Sequence, residues 1–208
     1  MKDESFYAEL FRSIHERIGP IDDTDIVPFV GFDRSGMIRL SSVGRDRSGF
    51  VTYITCELAT RDEQRLAGLG NYEFMISCDD QSWAREVLTQ IGRMSFNTAF
   101  EDGHAIDLCE AFGSDFPMAG LLVEEFAKTS VGDRPCGIFR IHGVTRTELD
   151  YSIRFGTNKL LEAFKTAGLY PHTTVRQRRS LVEMPQTLLR MPAGAVPPSR
   201  RARAVSSS

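Results

Sequence analysis

Four histidines, four cysteines and a scatter of carboxylates are the side chains of this sequence that could do chemistry, and their spacing limits what they can do together. His15, His104, His142 and His172 fall in separate segments, with no His-x-x-x-His or His-Glu-x-x-His pattern to put two imidazoles on one helical face, so no metal site is expected. Cys56, Cys78, Cys109 and Cys136 lie 22, 31 and 27 positions apart, without the short paired spacings of zinc or thiol-redox motifs. They are expected to be free thiols that pack as small apolar residues.

Gly103-His104-Ala105-Ile106-Asp107 sets a histidine and a carboxylate beside a glycine turn, which could serve acid–base chemistry or orient a ligand. The plainer reading is a His104 that bonds backbone at a turn, since no nucleophile accompanies it. Cys56 with Glu57 has the residue types of a nucleophile and its base, and Glu57 with Glu73 those of a hydrolytic carboxylate pair. Side chains alternate along a strand, however, which puts Cys56 and Glu57 on opposite faces. Glu57 and Glu73 are then expected to share the solvent-facing side of an antiparallel sheet. Gly68-Leu69-Gly70 lacks the further glycine and the strand-to-helix context of a phosphate-cradling loop. No catalytic constellation emerges, and no cofactor is expected.

The elements that must position these residues alternate between helix and strand. Phe6, Leu10, Ile14 and Ile18 recur four apart in a helix over 4–18 that Gly19-Pro20 stops. Asp22-Asp23-Thr24-Asp25 reads as a solvated loop, and 27–33 as a strand that Pro28 confines to an edge. Strands are expected at 37–43, 50–58 and 72–78, the last two as neighbours, around the charged loop Arg61-Asp62-Glu63-Gln64. Asp79 and Asp80 cap a helix over 82–99 whose buried stripe is Trp83, Val87, Ile91, Met94 and Thr98, widened by Leu88. A short strand at 105–108 and longer ones at 120–126 and 137–144 follow. Thr145-Arg146-Thr147-Glu148 has the form of a capping box, opening a helix that Gly156 divides and Gly168 ends. Residues 173–183 read as a last strand or an extension.

From Pro185 the prolines, alanines, Arg200-Arg201-Ala202-Arg203 and closing serines bury too little to offset their ordering entropy, so residues 184–208 are expected to be a flexible tail behind one domain over 1–183. With 41% hydrophobic and 25% charged residues in a chain of 208, a single buried core needs no staples. A net charge of −3 gives no overall pull toward nucleic acid, and Arg178-Arg179 and Arg200-Arg201 read as solvated ends. The acidic N-terminus is unlike a signal peptide and no apolar run approaches the roughly 18 residues of a membrane span, so a cytoplasmic protein without a membrane partner is expected.

Taken in order, MIRLSSVGRD (37–46), TYITCEL (52–58), Tyr72-Glu73-Phe74, Trp83-Ala84-Arg85-Glu86 with Ile91-Gly92-Arg93, Gly103-His104-Ala105-Ile106-Asp107 and Thr145-x-x-Glu148-Leu149-x-Tyr151 resemble the suppressor-of-fused domain family, over roughly residues 27–182. The resemblance implies a mixed α/β (α+β) fold, a largely antiparallel sheet flanked by helices, in a family not known for catalysis. Its animal members hold a transcription factor, and bacterial members are often assigned as immunity proteins. At this length the chain is expected to lack the second domain of the animal proteins, so transcription-factor binding does not carry over. The expectation is therefore a non-enzymatic domain that binds another protein, a toxin above all. Its contacts would come from Asp22, Asp23, Asp25, Glu57, Arg61, Asp62, Glu63, Glu73, His104 and Asp107. A small hydrolase or transferase around His104 and Asp107, and a scaffold acting through the arginine-rich tail, stand as alternatives.

Overall fold

The computed structural model describes residues 2–19, 21–28, 37–46, 48–112, 117–131, 133–176 and 180–181. The boundary expected after residue 183, and the tail itself, lie outside the described residues, as do Arg178 and Arg179. A first helix, α1 (Lys2–Ile18), leads into three antiparallel strands, β1 (Ile21–Pro28), β2 (Met37–Arg45) and β3 (Val51–Cys56). One 3₁₀ turn (Leu58–Thr60) precedes β4 (Asn71–Cys78), which pairs antiparallel with β3, Val51 opposite Cys78. The pairing of these two strands is thus as the sequence led us to expect.

The chain then crosses through α2 (Gln81–Met94), the short β5 (Ala105–Asp107) and α3 (Leu108–Phe112) to a long hairpin of β6 (Gly120–Val131) and β7 (Arg134–Val144). Two helices, α4 (Arg146–Phe155) and α5 (Thr157–Thr166), and the two-residue β8 (His172–Thr173) complete it. The strand order is β1-β2-β3-β4-β7-β6-β5, with β8 alongside the end of β4. Among the described residues only β4 makes parallel pairs, with β7 and with β8, so the sheet is mixed and largely antiparallel.

Helices cover both faces. Tyr72, Phe74 and Ile76 of β4, Phe139 and Ile141 of β7 and Leu121 and Val123 of β6 pack on Trp83, Val87, Leu88 and Ile91 of α2. On the reverse, Met75, Ile54, Cys56 and Ile138 meet Leu10 and Ile14 of α1, while Leu122 and Val144 meet Leu149, Leu160, Leu161 and Phe164 of α4 and α5. Every residue of β4 is consequently buried, the pattern of a central strand with both faces covered. Cys56, Cys78 and Cys136 are buried and Cys109 partly so, all as free thiols.

Several boundaries differ from the sequence expectation for physical reasons. The acidic stretch Asp22–Asp25 is strand, not loop: Asp23 stands opposite Ser42 and Asp25 opposite Leu40. Aspartate is a poor strand former, but an edge strand tolerates charge, and β1 is an edge. β6 and β7 run on to a Val131–Arg134 pairing, beyond the expected strand bounds of 126 and 137. α2 stops at Met94, five residues short of the expected end, leaving Thr98 outside it. Gly156 divides α4 from α5 with φ of 97°, a left-handed value that glycine takes at little cost.

The capping box at α4 does more than start a helix. Glu148, wholly buried, accepts the Thr145 N–H at 2.9 Å and the Leu181 N–H at 3.0 Å, pinning the end of the described chain to the helix start. In Glu148→Gln the amide keeps one acceptor and turns its NH₂ on the other donor. We expect a loss of about 1 kcal/mol in denaturant unfolding, with faster amide exchange at Leu181.

Candidate functional site

Glu73 is the first site residue that the structure relocates. It points into the layer beneath α1 with no exposed surface, where Thr55 Oγ1 donates to it at 2.7 Å. The backbone N–H groups of Glu57 (2.9 Å), Ala59 (2.9 Å) and Leu58 (3.3 Å) donate as well. A carboxylate thus caps the 3₁₀ turn from below, and Glu57, at the corner, takes φ of 112° to present its N–H. The expected exposed Glu57/Glu73 face is corrected: β3 ends at Cys56, so Glu57 is a turn residue, and Glu73 offers nothing to a partner. Alternation gave the right face for Glu73, but α1 covers that face. Cys56 Sγ meets Ser41 Oγ at 3.5 Å and the Ile54 carbonyl oxygen at 3.9 Å.

Burial pushes the Glu73 carboxyl up to about 7, against the pull of Ala59 N–H, Thr55 and the other two amides. The folded value lies above the ordinary 4.5, so its contribution to stability is complete below about pH 4.5 and is lost as pH rises through 7. Glu73→Gln has no such titration, and the gap in unfolding free energy between wild type and E73Q should narrow from pH 4.5 to 7.5. A gap that widened would mean that the four donors outweigh burial.

In the loop that follows, Asp62 and Glu63 are exposed and Arg61 is half-buried. Asp62 Oδ1 lies 3.4 Å from Arg134 Nη2 on β7. Gln64, expected among the surface charges, is buried instead: its amide pairs with the Tyr72 backbone at 2.8 and 2.9 Å, as a strand neighbour would. Asp22, Asp23 and Asp25 lie along the edge strand β1, and their side chains fall outside the described residues.

His104 is an exposed turn residue whose Nδ1 accepts the Glu101 N–H at 3.2 Å. Asp107 faces Arg146 of α4, with Nη2 at 3.0 Å, and accepts the Cys109 and Glu110 N–H groups that open α3. The Arg146 bonds, with help from those two amides, hold the Asp107 carboxyl down at about 2. A carboxylate so engaged is a bracket between β5 and α4 and a poor general base. Both residues border an open pocket of about 290 Å³ with Met94, Thr98, Phe100, Ile106 and Glu110. Among the described residues no group of His, Cys, Asp and Glu side chains gathers as a metal site.

Sequence reasoning missed a second charged cluster, on the sheet face between α1 and α5. Glu124 of β6 receives His142 Nε2 at 2.9 Å and the Tyr170 hydroxyl at 3.1 and 3.2 Å, with Arg140 Nη1 at 3.7 Å. Arg140 also bonds Tyr170, and its guanidinium lies 4.2 Å from the Phe126 ring centroid. Burial pushes the Glu124 carboxyl up, but His142, Arg140 and Tyr170 outweigh it and hold it below its ordinary range. The available signal was Arg140 and His142 two apart in the otherwise uncharged stretch 135–144.

Comparison with known proteins gives a consistent picture. The family model described as suppressor of fused protein matches residues 35–178. No curated protein sequence matches the chain. Among solved structures, a chain from a Sufu–Fu complex crystal structure superposes with a TM-score of 0.66 at 15% identity, over 88% of this chain and 95% of that one. Drosophila Suppressor of Fused superposes with a TM-score of 0.55 at 16% identity, over 74% of this chain and 44% of its own length.

Proposed function

Because this chain belongs to the suppressor-of-fused family, we propose that it is a non-enzymatic protein-binding domain that captures a basic partner, of the kind an immunity protein neutralises. The observation that carries this is the match to the chain from the Sufu–Fu complex, which extends over nearly all of that chain, so the whole fold corresponds to one found in an assembly.

Charge supports the choice of partner. The chain carries −3 in all, and residues 184–208 hold four arginines and no carboxylate, which leaves −7 on residues 1–183. Asp22, Asp23 and Asp25 lie on an edge strand whose outer backbone groups are also the place where an incoming strand would add. Electrostatic attraction and strand pairing therefore act at one place, with Asp62 and Glu63 as a second acidic contact and His104 on another rim. The hydrolase alternative loses its base, since Asp107 is held by Arg146 and by α3.

The test is co-expression with the product of the adjacent open reading frame of the native genome. The proposal expects that product to arrest growth and this chain to restore it. Reversal of Asp22, Asp23 and Asp25 to lysine should abolish the rescue while leaving the thermal unfolding midpoint within about 3 °C, as surface changes do. Growth arrest that persists with the wild-type chain present would reject the immunity role.

A further inference from the structure

The layer beneath α1 seals in more polar chemistry than its walls suggest. Ile54, Met75 and Ile138 line it, yet Ser41, the Glu73 carboxyl and the Cys56 and Cys136 thiols are all buried there. Burial pushes the Cys136 thiol up to about 11, with Glu73 and Glu9 of α1 adding to the rise and Arg134 opposing it. Among the described residues no cation pairs with Glu73 to hold its charge.

The cover over this layer is thin. Of the described side chains of α1 only Leu10 and Ile14 are buried, with Phe11 and Ile18 packed at their margin, while Ala8, Arg12, His15 and Glu16 are exposed. α1 joins β1 through Gly19, whose φ of 125° is a left-handed value that glycine takes and leaves at little cost. An element held by so few buried side chains opens more readily than the whole fold. The donors to Glu73 are Thr55 and the turn amides of residues 57–59, none of which belongs to α1. α1 can therefore leave without breaking those bonds, and water then reaches the carboxyl. We propose that α1 is a proton-linked lid, closed while Glu73 holds its proton and swinging open about Gly19 as that proton passes to solvent. Closed, the carboxyl sits at about 7, and open to water it returns toward the ordinary 4.5. Closure is complete below about pH 4.5 and weakens as pH rises through 7. The lid needs no partner, so it stands apart from the protein-binding reading.

Alkylation of the full chain with iodoacetamide, read at each cysteine by peptide mass spectrometry, tests it. Each rate is divided by that of the same thiol in the urea-unfolded chain at the same pH, which removes the titration of the thiol itself. Cys56 and Cys136 should label at least about tenfold faster than global unfolding, measured in urea, would permit, and their protection should fall at least about tenfold from pH 5 to pH 8. Glu73→Gln should hold that protection level across the same range. Protection equal to that set by global unfolding overturns the proposal, because the layer then opens only with the whole fold. So does a flat wild-type profile, and so does an E73Q profile that falls as steeply as the wild type, which places the titrating group elsewhere. Should E73Q not fold, the wild-type comparison with global unfolding decides alone.

Discussion

Glu73→Ala is expected to destabilise the fold by about 3–5 kcal/mol, because truncation leaves several buried donors unsatisfied at about 1–3 kcal/mol each and opens a cavity. The donors are the N–H groups of Glu57, Leu58 and Ala59 and the Thr55 hydroxyl, and all but the part-buried Glu57 N–H lie in the buried layer beside Leu10 and Ile14. Thr55 Oγ1 in turn accepts the Phe74 N–H at 2.9 Å, so the disturbance enters the central strand. Urea unfolding followed by the fluorescence of Trp83, buried on the opposite face, measures it. A loss below about 1 kcal/mol would mean that the turn relaxes to satisfy its own amides.

The second large effect concerns the cluster on the outer half of the hairpin. Glu124→Leu strands Arg140 without its counter-charge and takes the carboxylate from His142 Nε2, and breaking such a pair costs about 3 kcal/mol when it is largely buried, as these side chains are. Glu124→Gln keeps an acceptor for His142 and should cost less than half as much. Adding Arg140→Met to Glu124→Leu removes the orphaned charge and should recover a good part of the loss, so the two changes will not add. Additive losses would show that Glu124 acts by packing alone.

Much of this architecture was legible because apolar periodicity survives wherever one face is buried. α1, α2 and the division at Gly156 follow from spacing and from glycine, and β3 beside β4 from alternation. The site was less legible. Glu73 alternates as an exposed residue would, and only the placement of α1, a long-range contact, shows that its face is sealed. Asp22–Asp25 read as loop because aspartate disfavours strand, while the pairing with β2 that overrides this, Asp23 with Ser42 and Asp25 with Leu40, depends on partners distant in the sequence. Glu124, Arg140 and His142 come together only through the register of β6 on β7, with Tyr170 arriving from beyond α5. The ordered motifs identified the family, whereas the chemistry of each carboxylate needed the fold.

The central claim, capture of a basic protein by an acidic domain of this family, is tested most directly by calorimetric titration of the purified chain with the product of the adjacent open reading frame, at 50 and 300 mM salt. The account predicts a one-to-one complex that weakens at least tenfold at the higher salt, and that weakens comparably when Asp22, Asp23 and Asp25 are reversed to lysine. Binding unaffected by both salt and charge reversal would contradict the acidic route. No heat of binding to that partner, from a chain that unfolds cooperatively, would contradict the claim itself.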